Sequence, residues 1–195
     1  MPLSHQLRIF PDNWRGKAHA YAVDDLAGAF DRFFTSYVVF NRLYAEATYR
    51  LARHGRLNLR EPFPDSRAAQ DYVIQFCGAG ILTRAWEGSA DSAAAINQIA
   101  EHLIDHRFAL KLNPMTGDRQ PAKDHTLAAA LRSRSRNQRA KGVLEALNAI
   151  RCNMFHGQKG FEVAQLALLR PAVVLLESTV EILYGALEPD RAHVD

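Results

Sequence analysis

Apolar positions along this chain recur at intervals of three and four, and almost nowhere at intervals of two. That period lines one face of an α-helix, whereas a half-buried strand would alternate. The longest run is Leu26, Phe30, Phe33, Tyr37, Phe40, Tyr44, Ala47 and Leu51. It reads as a heptad-type seam, rich in aromatic residues and sustained for about four heptads. Asp24 and Asp25 suit its N-terminus, and Arg53, His54 and Gly55 suit its C-terminus. At 1.5 Å per residue such a helix spans about 45 Å, too long to be hidden in a small α/β domain.

The flanking segments follow the same logic. Residues 1–21, with Pro11 and Gly16, read as an irregular lead-in, and residues 56–65 (RLNLREPFPD) as a loop with two prolines and no period. A helix is predicted from about Ser66 to Phe76, ended by the Cys-Gly-Ala-Gly punctuation. Asp91 or Ser92 suits the cap of the next, which carries Ile96, Ile99, Leu103 and Leu110. After the turn-rich NPMTGDRQP (113–121), a helix begins near Asp124 to Thr126. Another runs from about Gln138 to His156, with Gly142 as a weak point. The last carries Leu166, Leu169, Val173, Leu176, Val180, Leu183 and Leu187, and Pro171 implies either a kink or a start only a few residues earlier. The prediction is an all-α antiparallel helical bundle, a single domain over residues 22–188 with a tail at 189–195.

Composition narrows the class. A chain of 195 residues, 48% hydrophobic, buries a core without staples. Cys77 and Cys152 both lie in apolar-periodic segments, which argues against a disulfide framework and for a reducing cytoplasm. The first residues resemble no signal peptide, and no run approaches the ~20 apolar residues of a membrane helix. A soluble, cytoplasmic protein with no membrane partner is expected. The net charge of +3 is modest, but 19 of the 24 basic residues are arginine, the residue suited to bidentate phosphate recognition. GC-rich codon usage also yields arginine, so position is more informative than number.

Position singles out AIRCNMFHGQKG, residues 149–160. On a helical wheel Val143, Leu147, Ile150 and Met154 form the core stripe. Arg151 lies at its edge and His156 about 140° round from it, with Asn148 and Cys152 between. Gly157 suits the C′ position, making His156 about the last helical residue, where the helix C-terminus favours a protonated imidazole.

Arg151-Cys-Asn-Met-Phe-His156, followed by Gly157, resembles the R-x4-H signature of HEPN domains, close to the Apea-like branch with its R-x-N-L-F-H-G run. The long aromatic helix and the leucine-rich last helix resemble the same branch, so the likeness covers about residues 25–187. It implies a HEPN-type bundle acting as a metal-independent endoribonuclease without cofactor, a homodimer whose two motifs face one another. Proteins of this kind often act as toxins or in phage defence, beside an antitoxin or other partner protein. On that reading His156 is the acid/base, Arg151 the clamp on the phosphate oxygens and Asn148 an orienter. One histidine cannot serve both the attacking 2′-OH and the leaving 5′-oxygen, but a twofold dimer supplies two. Many members carry Asn, Asp or His directly after the arginine. Cys152 stands there instead, and Asn153 points about 100° away from it. Cys152 favours a rival reading, a non-catalytic RNA- or nucleotide-binding module that partners a second protein. In a further rival the bundle is a scaffold and the motif accidental.

Upstream, LRSRSRNQRAKG (131–142) carries Arg132, Arg134, Arg136, Arg139 and Lys141, which either track an RNA backbone or solvate a linker. Gln158 and Lys159 extend the same surface. Asn41, Cys152 and Asn153 are accessory polar candidates, although Asn41 reads more readily as a buried residue fixing helix register. His102 and His106 share a helix face at i, i+4 but lack a third ligand, so no metal site is expected.

Overall fold

The computed structural model describes residues 5–59, 62–113, 115–155 and 162–188. The first half of the chain folds as α1 (His5–His19), α2 (Leu26–Arg53), α3 (Asp65–Arg67), a π-helical turn (Ala68–Tyr72) and α4 (Val73–Cys77). There follow α5 (Ala79–Gly88), α6 (Ala90–Ile104), α7 (Pro121–Leu131), α8 (Arg136–Phe155), a 3-10 turn (Val163–Gln165) and α9 (Leu166–Leu187). Among the described residues there is no strand, only an isolated antiparallel bridge between Leu112 and Arg119. The architecture is an all-α bundle. None of the described helices is long and apolar enough to cross a membrane.

The aromatic seam is its axis. Asp25 caps α2 by accepting a hydrogen bond from the Gly28 N–H at 2.8 Å. Gly28 is required there, because a Cβ would lie 2.1 Å from the Ala22 carbonyl oxygen. Leu26, Phe33, Tyr37, Phe40, Tyr44, Ala47 and Leu51 are all buried, with Phe30 partly so. Tyr37, Phe40 and Tyr44 pack edge to face, with centroids 5.5 and 5.2 Å apart. Leucine-rich α9 lies along α2, α6 packs on α9, and α7 and α8 complete the bundle. Burying a phenylalanine or leucine of this core stabilises the fold by roughly 1.5–3 kcal/mol each. Thr48, Thr83 and Thr179, buried among these helices, each donate to the carbonyl four residues back.

Several expectations need correction. Residues 5–19, expected to be irregular, are helical: Pro11 and Ala18 are buried and Trp14 half-buried on the face that packs against α2. Tertiary burial there outweighs the hydrogen bond that Pro11 forfeits. A helix at 79–88 was not expected; it is held by fully buried Leu82 and Trp86. Ser89, not Asp91 or Ser92, caps α6, which stops at Ile104, so Leu110 lies beyond it in the connection to α7. α7 begins at Pro121, where a proline at N1 costs no hydrogen bond. α9 starts five residues before Pro171. The tail at 189–195 lies outside the described residues.

Gly142 is not a weak point but a crossing point. A Cβ there would come within 3.0 Å of Ala130 and of the Leu131 nitrogen, so glycine lets α8 pass close against the end of α7. The loss in helix propensity, about 1 kcal/mol, is the cost of that approach.

Candidate active site

The end of α8 meets the start of α3 and the middle of α2, and the meeting is polar. Val143, Leu147 and Ile150 are buried and Met154 is partly so, which fixes the rotation of α8 as the wheel predicts. Arg151 emerges at the edge of that stripe. Its guanidinium carbon lies 5.6 Å from the centre of the Tyr37 ring, a cation–π contact. Its Nη1 is 3.7 Å from Asp65 Oδ2, a loose ion pair with side chains 26% and 44% exposed. The Cys152 sulfur is 4.0 Å from the same nitrogen. Burial opposes the charge on Arg151. The Cys152 sulfur, Tyr37 and Asp65 together outweigh it and hold the guanidinium's pKa above its ordinary value. The arginine is a fixed, partly exposed cation, backed by an aromatic face.

Asn148 has a structural partner at each polar atom. Its Oδ1 accepts from the Tyr37 hydroxyl at 3.2 Å, and its Nδ2 donates to Ser66 Oγ at 3.4 Å. It therefore ties α8 to α2 and α3 and fixes the ring beneath Arg151, a positioning role. The Tyr44 hydroxyl donates to Asp65 Oδ1 at 2.5 Å. Burial raises the pKa of both tyrosines well above the ordinary phenol range, and for Tyr44 the bond to Asp65 adds to it, so both keep their protons. Asp65 and Ser66 belong to the single turn of α3 that leads into the π-helical turn. An extra residue in one turn rotates what precedes it, and such turns recur at functional sites.

The other candidates divide. Cys152 is half-buried beside Arg151. Asn153 faces elsewhere: its Nδ2 donates to the Leu110 carbonyl at 3.2 Å, anchoring α8 to the α6–α7 connection, so it is no accessory to the site. Asn41 is exposed on α2, one turn beyond Tyr37, which overturns its reading as a buried register residue. His156 and Lys159, with Gln158, lie outside the described residues.

The basic stretch sits at the far end of α8. Arg136 is about 22 Å from Arg151 along the axis, at 1.5 Å per residue. Arg132 pairs with Glu101 at 3.5 Å, Arg139 with Glu87, and Lys141 with Asp71 at 3.8 Å. Arg134 and Arg136 are exposed. Basic residues in a first turn oppose the helix macrodipole, and α8 has no acidic residue there to offset them. The acids come instead from neighbouring elements.

The proposed pairing of His102 and His106 on one helix face is also overturned. α6 ends before His106, which adopts φ +54 and packs on His125, the Nε2 atoms 3.3 Å apart. His102 packs edge to face on Phe108. Among the described residues no group of three or more histidine, cysteine or acidic side chains stands ready to hold a metal.

No family model, curated protein or solved structure matches this chain. The chemistry has to be read from the site itself. Its residues that sequence reasoning missed are Tyr37 and Tyr44 as polar groups, Asp65 and Ser66. A signal was available for the tyrosines: a hydroxyl in a buried seam needs a partner that phenylalanine would not.

Proposed function

We propose that the chain is a metal-independent endoribonuclease of HEPN type, working as a homodimer with one composite site. The observation that carries this reading is Arg151, a permanent cation seated on the Tyr37 ring, partly exposed, five residues before His156 in an R-x4-H motif. A fixed guanidinium at a reacting phosphodiester binds the non-bridging oxygens as negative charge builds on them. In the reaction, the 2′-oxygen attacks phosphorus and gives its proton to His156. The bond from phosphorus to the 5′-oxygen breaks, and His156 of the partner subunit protonates the departing oxygen. The products are a 2′,3′-cyclic phosphate and a 5′-hydroxyl.

One observation favours a second reading, an RNA- or nucleotide-binding module that partners another protein. Cys152 stands where many members of the resembled family carry Asn, Asp or His, and Asn148 has both polar atoms committed to Tyr37 and Ser66. A thiol is only a weak donor and acceptor, and Asn148 already serves as a structural tie, which leaves the site short of the third polar group that the resembled family carries. Incubating single-stranded RNA with the pure protein in EDTA separates the two readings. New 2′,3′-cyclic phosphate ends that vanish in both Arg151→Ala and His156→Ala mean the enzyme. RNA binding without new ends means the module. A setting in toxin–antitoxin or phage-defence systems belongs to the first reading, in which expression is toxic and either substitution relieves it.

A further inference from the structure

α2 is buried on most of its circumference, yet one sector faces outward and its middle is apolar. At about 100° per residue, Phe34, Val38 and Ala45 lie between about 60° and 100° round from Tyr37. Tyr49 continues the row at about 120°. Phe34 is 38% and Tyr49 44% exposed, with Val38 and Ala45 half-buried. Spacings of four, seven and four residues from Phe34 to Tyr49 repeat the heptad logic of the buried seam on an adjacent face of the same helix. Two charges border the row at about 120° to 140°, Asp31 and Arg42. Both are exposed, and neither has an ion pair or hydrogen bond among the described residues.

Their placement is symmetric. Asp31 and Arg42 stand equally far along α2 on either side of the Ser36–Tyr37 bond. If a second copy lays its α2 antiparallel across the row, with the twofold at that bond, Asp31 meets Arg42 of the partner subunit. The reciprocal pair forms at the same moment, as an isologous interface demands. We infer that this outer face of α2 is the surface on which two copies of the chain pair, antiparallel and about a twofold beside Tyr37.

The inference rests on the composite-site reading and deepens it. A twofold normal to the plane of two antiparallel helices leaves the same flank of each helix on the same side. Parallel pairing would send the flanks to opposite sides. Tyr37 lies on such a flank, about 80° round from the middle of the row, at the height of the twofold. Arg151 rests on its ring. Antiparallel pairing therefore turns both Arg151 side chains to one side of the dimer and brings both near its axis. The interface and the shared site follow from one symmetry operator.

Charge exchange tests the surface separately from the chemistry. Sedimentation of the full-length chain at micromolar concentration is expected to give the dimer mass. Asp31→Arg alone and Arg42→Asp alone are expected to shift it to monomer, at unchanged far-UV circular dichroism. The double variant, which restores opposite charges across the twofold, is expected to recover the dimer. Val38→Glu gives monomer without rescue. A monomeric wild-type chain, or a dimer that survives Asp31→Arg and Val38→Glu, overturns the surface. Wild-type RNA cleavage retained by a fully monomeric variant overturns instead the composite-site reading and leaves the surface standing.

Discussion

The Arg151 guanidinium lies 5.6 Å from the centre of the Tyr37 ring, and the hydroxyl of that ring donates to Asn148, one turn back on α8. One tyrosine thus holds the arginine and fixes the helix that carries it. Tyr37→Phe keeps the ring and removes the bond to Asn148. It is expected to cost about 0.5–1.5 kcal/mol of stability in urea unfolding and to leave RNA affinity nearly intact. Tyr37→Leu removes the aromatic face and is expected to weaken RNA binding several-fold, a contact of this kind contributing about 0.5–2 kcal/mol. Equal RNA affinities for the two variants would mean the ring does not support the arginine.

Asp65 competes for the same guanidinium. Its carboxylate is 3.7 Å away, so on the proposed reading a phosphate that binds Arg151 has to compete with it. Asp65→Asn is expected to tighten RNA binding by up to about fivefold, the ~1 kcal/mol ceiling of a solvent-exposed ion pair. Fluorescence anisotropy with labelled single-stranded RNA measures it. Loss of cleavage at unchanged affinity would instead give Asp65 a part in the chemistry.

Alkali is expected to unfold the chain early. Burial pushes the Cys77 thiol up to about 12 from 9.0, and it raises Tyr37 and Tyr44 above their ordinary 10.0. Between the ordinary and the folded values, the unfolded chain has lost protons that the folded chain still holds, so stability falls as pH rises. It is complete below pH 9 and then declines, first through Cys77 and above pH 10 through the tyrosines as well. The slope is about 1.4 kcal/mol per pH unit for each group titrating. Urea unfolding at stepped pH reads it, and Cys77→Ala is expected to flatten the first part of the decline.

Salt separates the arginines near the start of α8. Arg134 is exposed, with no ion pair among the described residues, whereas Arg139 is half-buried against Glu87. Arg134→Ala is expected to reduce the slope of log affinity against log salt by about 0.7 for single-stranded RNA, one phosphate's worth, at unchanged stability. Arg139→Ala is expected to lower the melting temperature and move the salt slope less.

The long helix, its cap and the leucine-rich last helix were legible because each follows a period over many turns, which local chemistry alone dictates. α1 was hidden because Pro11 and Gly16 mimic a loop, and only the packing of Trp14 and Ala18 on α2 overrides them. α5 was missed because Gly78 and Gly80 at its start signal a break. That is correct at Gly78, with φ +85, but does not stop a helix from beginning at the next residue. At the site, the edge position of Arg151 followed from the stripe Val143, Leu147, Ile150. Asp65 and Ser66 did not, since they are brought to Arg151 and Asn148 respectively by the loop after α2, ahead of a π-helical turn that no periodicity announces. Asn153 was misjudged for the same reason, as its partner is a backbone carbonyl in a connection without period.

Mixing subunits tests the composite site most directly. Wild-type protein is combined with an equal amount of His156→Ala protein, allowed to exchange, and assayed for 2′,3′-cyclic phosphate ends at constant total concentration. If each site needs a histidine from both chains, only all-wild-type dimers cleave, and activity falls to about a quarter of that of the unmixed wild type. A fall to about half, as independent sites give, or no cleavage by wild type at all, contradicts it.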